Sequence, residues 1–95
     1  MKREAEDVLI GVVTARATGS PPDSPRAMDA VEAHRQHLTR WFYDCPPEMH
    51  VGLGEMFVAD ARFRAYYDAH GAGLAEYIQE AIVANAERQT SSTTP

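Results

Sequence analysis

Cys45 is the only thiol in the chain, and it sits in the segment richest in reactive side chains, His34 to Leu53, HRQHLTRWFYDCPPEMHVGL. That segment also holds the only Trp, three of the four His and the adjacent prolines Pro46 and Pro47. A cysteine just ahead of a helix start feels the positive end of the helix dipole, which lowers a thiol pKa. Asp44 and Glu48 oppose that effect, so a modest net shift is expected. Nucleophilic catalysis would further require a base and a third group to orient it. His37 or His50 could be the base, but no oxyanion-hole pattern accompanies them, and no catalytic residue is assigned. The plain alternative is a half-buried structural thiol.

His34, His37, Cys45 and His50 also raise the question of zinc. His34 and His37 are three apart, so on a helix their rings can converge. The remaining spacing matches no standard zinc pattern, and a structural site needs four closed ligands. Histidines satisfied by hydrogen bonds are the expectation, with no metal. Nothing marks an axial haem ligand either, so no cofactor is expected. The aromatic and thioether residues are Trp41, Phe42, Tyr43, Met49, Met56, Phe57, Tyr66, Tyr67 and Tyr77. Most must form core in so small a domain. Tyr hydroxyls and flexible Met side chains also suit a pocket for a bulky, mostly apolar ligand, with Cys45 at its mouth.

These residues need helices to position them. Ala5, Val8, Leu9, Val12 and Val13 recur at helical intervals between Arg3 and Ala17, and Gly19 with Pro21 and Pro22 ends that helix. Ser24-Pro25 supplies an N-cap and a first helical residue. The helix that follows, to about Tyr43, is expected to be the longest, with Ala27, Val31, His34, Leu38 and Trp41 as its core stripe. Asp44 to Pro47 forces a break, and a third helix starts at Pro47. Gly52 and Gly54 lie inside it, each costing about 1 kcal/mol relative to Ala, a cost normally offset by close approach of another helix or a ligand. Asp60 caps a short fourth helix, and a fifth runs from about Gly73 to Arg88 with Leu74, Tyr77, Ile78, Ala81 and Ile82 inward. Residues 89–95, QTSSTTP, have nothing to bury and are expected to be disordered.

The 95 residues suffice for one small domain. A hydrophobic content of 44% argues against wholesale disorder. The net charge of -5 and the lack of a basic stripe argue against direct nucleic-acid binding. A lone Cys excludes an internal disulfide and fits a reducing compartment. The N-terminal apolar run is too short to span a bilayer and lacks a cleavage site. From the residues alone, the chain reads as an all-α, cytoplasmic domain with no membrane association and a pocket beside Cys45.

Four pieces in order, HRQHLTRWFYDC, PEMHVGLGEMFVAD, ARFRAYYD and GLAEYIQEAIVANAER, resemble the TipAS antibiotic-recognition domain of thiostrepton-induced, MerR-type transcription activators. The likeness runs from about Pro22 to Arg88. It implies a globin-like helical fold without haem and a cleft for cyclic thiopeptides or other bulky antibiotics. In the founding type a cysteine adds to a dehydroalanine of the drug, and the cysteine of WFYDC maps onto Cys45. The resemblance further implies a recognition domain over residues 1–88 that is shortened at its N-terminus, carries no DNA-binding domain and has lost part of a lid. The expected function is sequestration of hydrophobic, thiopeptide-like antibiotics, without enzymatic turnover. Trp41, Tyr43, Met49, His50, Phe57 and Tyr66 are candidate contacts, and Cys45 is a candidate covalent anchor. The alternative is a protein-interaction module, a homodimer or a partner of a full-length regulator.

Overall fold

A computed structural model describes residues 2–92, and among them it contains five α-helices and no strand. They are α1 (Lys2–Ala17), α2 (Pro25–Trp41), α3 (Pro47–Ala59), α4 (Ala61–Asp68) and α5 (Leu74–Ser92). The all-α architecture of five helices is the one expected from the sequence.

Local chemistry sets the boundaries. Gly19, at φ 82°, ends α1 in a left-handed turn, where Ser20 N–H donates to Ala15 O at 3.1 Å. Ser24 Oγ accepts from Ala27 N at 3.2 Å, and Pro25 fills the first position of α2. Asp60 ends α3 and caps α4 through Oδ1, which accepts from Arg62 N at 2.9 Å. Asp68 Oδ1 accepts from Ala75 N at 3.1 Å and ties α4 to the start of α5.

The helix around which the domain is built is α5. It packs against each of the other four helices and buries Leu74, Ala75, Tyr77, Ile78, Ala81, Ile82 and Asn85. With 19 residues it also exceeds α2, which has 17 and ends at Trp41, so the expectation that α2 is the longest is corrected. Val12, Ala27, Val31 and Phe57 complete the core from α1, α2 and α3. Tyr77 Oη donates to Ser20 O at 2.7 Å, fastening the α1–α2 turn onto α5.

Of the two helical glycines in α3, Gly54 meets the close approach that offsets its cost. A Cβ there would lie 3.2 Å from Ile82 Cδ1 and 3.5 Å from Gln79 Cα. Gly52 faces open space. Trp41 departs from its expected core position and is 47% exposed, because it is the last residue of α2. Its indole Nε1 donates instead to Glu4 Oε1 at 3.3 Å.

The expected tail also begins differently. Residues 89–92 continue α5, and Gln89 Nε2 donates to Glu32 Oε1 at 2.6 Å. The hydrogen bond to α2 supplies a partner that apolar periodicity does not reveal. Residues 93–95 lie outside the described part.

Candidate ligand-binding cleft

The stripe Ala5, Val8, Leu9 and Val12 on α1 faces α2 across a cleft of about 260 Å³. From α2 come Val31, His34, His37 and Leu38, with Phe42 just beyond the helix end. Tyr66 and Tyr67 of α4 and Ile78 of α5 close the remaining side. The lining is chiefly aliphatic and aromatic, as small-molecule sites generally are. A shallower depression lined by Arg62 and Phe63 continues from it and shares Tyr66 and Tyr67.

The rings form a continuous series. Tyr66 meets Tyr67 edge-on with centroids 5.1 Å apart. Tyr67 lies 5.0 Å from Phe57, and Phe57 lies 6.1 Å from His34. Burial, with Tyr66 adding to it, pushes the Tyr67 hydroxyl up to about 12, so it remains a protonated donor.

Two imidazoles carry the polar character of the α2 wall. His34 Nδ1 is 2.9 Å from His50 Nε2, joining α2 to α3. Burial lowers the His34 pKa to about 4, with His37 adding to the effect. Burial also lowers His50 to about 3, with His34 and Arg35 reinforcing it and Glu32 opposing. His37 Nδ1 is 2.8 Å from Glu4 Oε1 on α1. Glu4 also accepts from Arg40 Nη1 at 3.0 Å. The hydrogen bond from His37, helped by those from Trp41 and Arg40, holds its carboxyl below the usual range. This clamp ties the first turn of α1 to the end of α2.

Cys45 lies elsewhere than at a pocket mouth. It is fully buried and lines neither depression. Its N–H donates to Thr39 Oγ1 at 3.2 Å, and its carbonyl accepts from Arg35 Nη1 at 2.9 Å. Burial raises the thiol pKa, Asp44 and Glu32 add to the rise, and Arg35 opposes it. The modest shift expected from the helix start is thus outweighed by desolvation.

The remaining candidates separate into three positions. Tyr66 lines the cleft. Phe57 and His50 are buried behind it, reaching it through ring contact and hydrogen bond respectively. Trp41, Tyr43 and Met49 are exposed and outside it. The sequence reading named none of His34, His37, Phe42, Tyr67 or the α1 stripe as ligand contacts. The α1 periodicity was visible, but nothing local distinguishes a core stripe from a cleft wall. Among the described residues no group of three or more His, Cys, Asp or Glu could hold a metal ion. Nor is any helix among them long and apolar enough to cross a membrane.

The family model of the TipAS antibiotic-recognition domain matches residues 1–85. The HTH-type transcriptional activator TipA of Streptomyces coelicolor is 49% identical over 87 residues, covering 92% of this chain and 34% of the relative. The HTH-type transcriptional activator mta of Bacillus subtilis is 37% identical over 68 residues, covering 72% of this chain and 26% of the relative. The chain therefore spans about a third of the length of the curated relatives it matches. Among solved structures, TipAS of Streptomyces lividans in complex with nosiheptide superposes with a TM-score of 0.85 at 49% identity, over 93% of this chain and 62% of that one. The antibiotic-binding domain of a TipA-class multidrug resistance transcriptional regulator gives a TM-score of 0.83 at 49% identity, over 93% and 94% of the two chains.

Proposed function

The chain belongs to the TipAS antibiotic-recognition domain family, and from that premise we propose that it binds bulky, largely apolar thiopeptide-like antibiotics reversibly in the cleft between α1, α2 and α4. The observation that carries this reading is the cleft itself, an apolar trough with a few fixed polar points. Its volume of about 260 Å³ lies just below that of a pocket enclosing a drug-sized molecule, roughly 300–1,000 Å³. A macrocycle would insert one edge and lay the rest over the exposed rings of Phe42, Tyr66 and Phe63. The biological role is capture of the drug in the cytoplasm, in sensing or resistance, without turnover.

Covalent capture at Cys45 is the less favoured course. Addition would join Sγ to the terminal carbon of a dehydroalanine, and the neighbouring carbon would take a proton. The buried thiol would first have to be released from the Arg35 and Thr39 contacts that hold its backbone. Nosiheptide and thiostrepton, tested by thermal shift and intact-protein mass spectrometry, separate these cases. The expected result is a raised melting temperature without a gain in mass. A gain of one antibiotic mass, absent in Cys45→Ala, would establish covalent capture instead. No shift with either compound would overturn the binding role.

A second reading is an interaction module acting on a full-length MerR-type regulator or on a second copy of the chain. Trp41, Tyr43 and Met49 favour it, being apolar, exposed and outside the cleft. Sedimentation of the ligand-free protein decides: self-association weakened by Trp41→Ala supports it, and a monomer insensitive to that change argues against the second copy.

A further inference from the structure

His34 and His50 share one hydrogen bond, and each ring has a second nitrogen. His34 lines the cleft, while its Nδ1 is engaged by His50 Nε2 at 2.9 Å. Among the described residues no sealed side-chain nitrogen or oxygen lacks a partner, so the remaining nitrogen of His34, Nε2, is not sealed off, and the ring that carries it borders the cleft. The electrostatics keep both rings neutral near neutral pH, with one proton apiece.

Two arrangements then satisfy the same geometry. In the first, His34 Nδ1–H donates to His50 Nε2, and His34 Nε2 presents a lone pair to the cleft. In the second, His50 Nε2–H donates to His34 Nδ1, and His34 Nε2–H presents a donor. Going from the first to the second, water delivers a proton to His34 Nε2, the shared proton crosses to His50, and His50 Nδ1 releases one to water. No hydrogen bond among the described residues engages His50 Nδ1, and it is likewise not sealed from solvent. Each ring holds one proton before and after. The neighbouring His37 lacks this freedom, because Glu4 is an obligate acceptor and fixes a proton on His37 Nδ1.

We propose that the His34–His50 pair is an ambivalent hydrogen-bonding point on the cleft wall, accepting from a ligand N–H or O–H in one arrangement and donating to a ring nitrogen or carbonyl in the other. This rests on the cleft being the ligand site. It gives a single pocket a way to match heterocycles of opposite polarity without moving backbone, at a position where an unpaired ligand group would otherwise be left desolvated.

The test uses three bicyclic probes of similar shape: indole, which donates; quinoline, which accepts; and naphthalene, which does neither. Long-range nitrogen–proton NMR on ¹⁵N-histidine-labelled protein reads which nitrogen of His34 carries the proton. With indole, Nδ1 is expected to be protonated and Nε2 bare; with quinoline, the reverse. In His34→Phe, indole and quinoline should weaken relative to naphthalene by about five- to tenfold, the size of one lost hydrogen bond. If all three probes bind and His34 keeps one tautomer throughout, the proposal is overturned and the cleft stands as the ligand site. If none binds at millimolar concentration, the cleft reading falls and takes the proposal with it. The tautomer measurement is made on the unmodified chain, so it decides even if the His34 variant folds poorly.

Discussion

Arg35 Nη1 donates to the carbonyl of Cys45 at 2.9 Å, while the same guanidinium grips Glu32 through Nε at 2.9 Å and Nη2 at 2.6 Å. The loop holding the lone thiol is thereby fastened to the middle of α2. Glu32 in turn accepts from Gln36 at 2.8 Å, Asn85 at 2.9 Å and Gln89 at 2.6 Å, so one carboxylate joins α2 to α5.

Accessibility of Cys45 should depend on Arg35. In the native protein a thiol reagent such as dithionitrobenzoate is expected to react slowly, at a rate set by opening of the loop. Arg35→Ala removes the tether and should speed labelling by about tenfold, the effect of about 1.4 kcal/mol on an opening equilibrium, which one hydrogen bond can supply. The change also removes the charge that favours the thiolate, so a faster rate would report access rather than acidity. Equal rates in both proteins would show that the tether does not hold the loop.

Glu32 should be worth more to stability than its partly exposed position suggests. Burial alone would raise its carboxyl, but hydrogen bonds from Arg35, Asn85 and Gln36 outweigh it and bring it down to about 2. Glu32→Ala strands donors on both helices, including buried Asn85. Urea denaturation is expected to show a loss of about 2–4 kcal/mol.

Mild acid should destabilise the fold through His34 and His50. Their folded pKa values, about 4 and about 3, lie below the ordinary value of 6.5, so the unfolded chain takes up protons first as pH falls. The stability held by the two neutral rings is complete above about pH 6.5 and declines toward the folded values. At about pH 5 each ring should have cost about 2 kcal/mol relative to neutrality. Denaturation at about pH 7 and about pH 5 measures this, since most of the contribution of Glu32 is lost only as pH falls from its ordinary value of 4.5 toward about 2. In His34→Phe the pH dependence should be smaller than in the unmodified protein.

The two glycines of α3 should respond in opposite directions. Gly52→Ala meets nothing and gains helix propensity, about 1 kcal/mol of stabilisation. Gly54→Val drives side-chain atoms into Ile82 and the backbone of Gln79, and should destabilise by about 1–3 kcal/mol. Thermal or urea melts of the two variants test the α3–α5 contact directly.

Binding should follow the cleft rather than the richest sequence window. Tyr66→Ala is expected to weaken nosiheptide by about tenfold, an effect typical of truncating an aromatic anchor. Met49→Ala, outside the cleft, should stay within about twofold. Calorimetry on both variants distinguishes this cleft from a site at the α2–α3 loop.

The sequence by itself determined the helices and most of their ends. Gly19, Ser24-Pro25, Asp60 and the paired prolines act on their immediate neighbours, so their effects are legible without knowing what packs nearby. The resemblance carried by WFYDC and GLGEM identified the family for the same reason, since such motifs are read in order along the chain. Only the tertiary structure decided which side chains meet. Trp41 and Phe42 are adjacent, yet one bonds Glu4 outside the cleft while the other lines it, edge-on to His37 at 5.8 Å. The helix start that follows Cys45 predicts only a modest shift of its thiol, and burial raises the pKa instead. His34 and His50, sixteen residues apart, form a pair only because α3 and α2 pack there. Caps and periodicity are local energies. Solvent access, proton affinity and the walls of a cleft depend on residues distant in the chain, so they emerge only once the helices have packed.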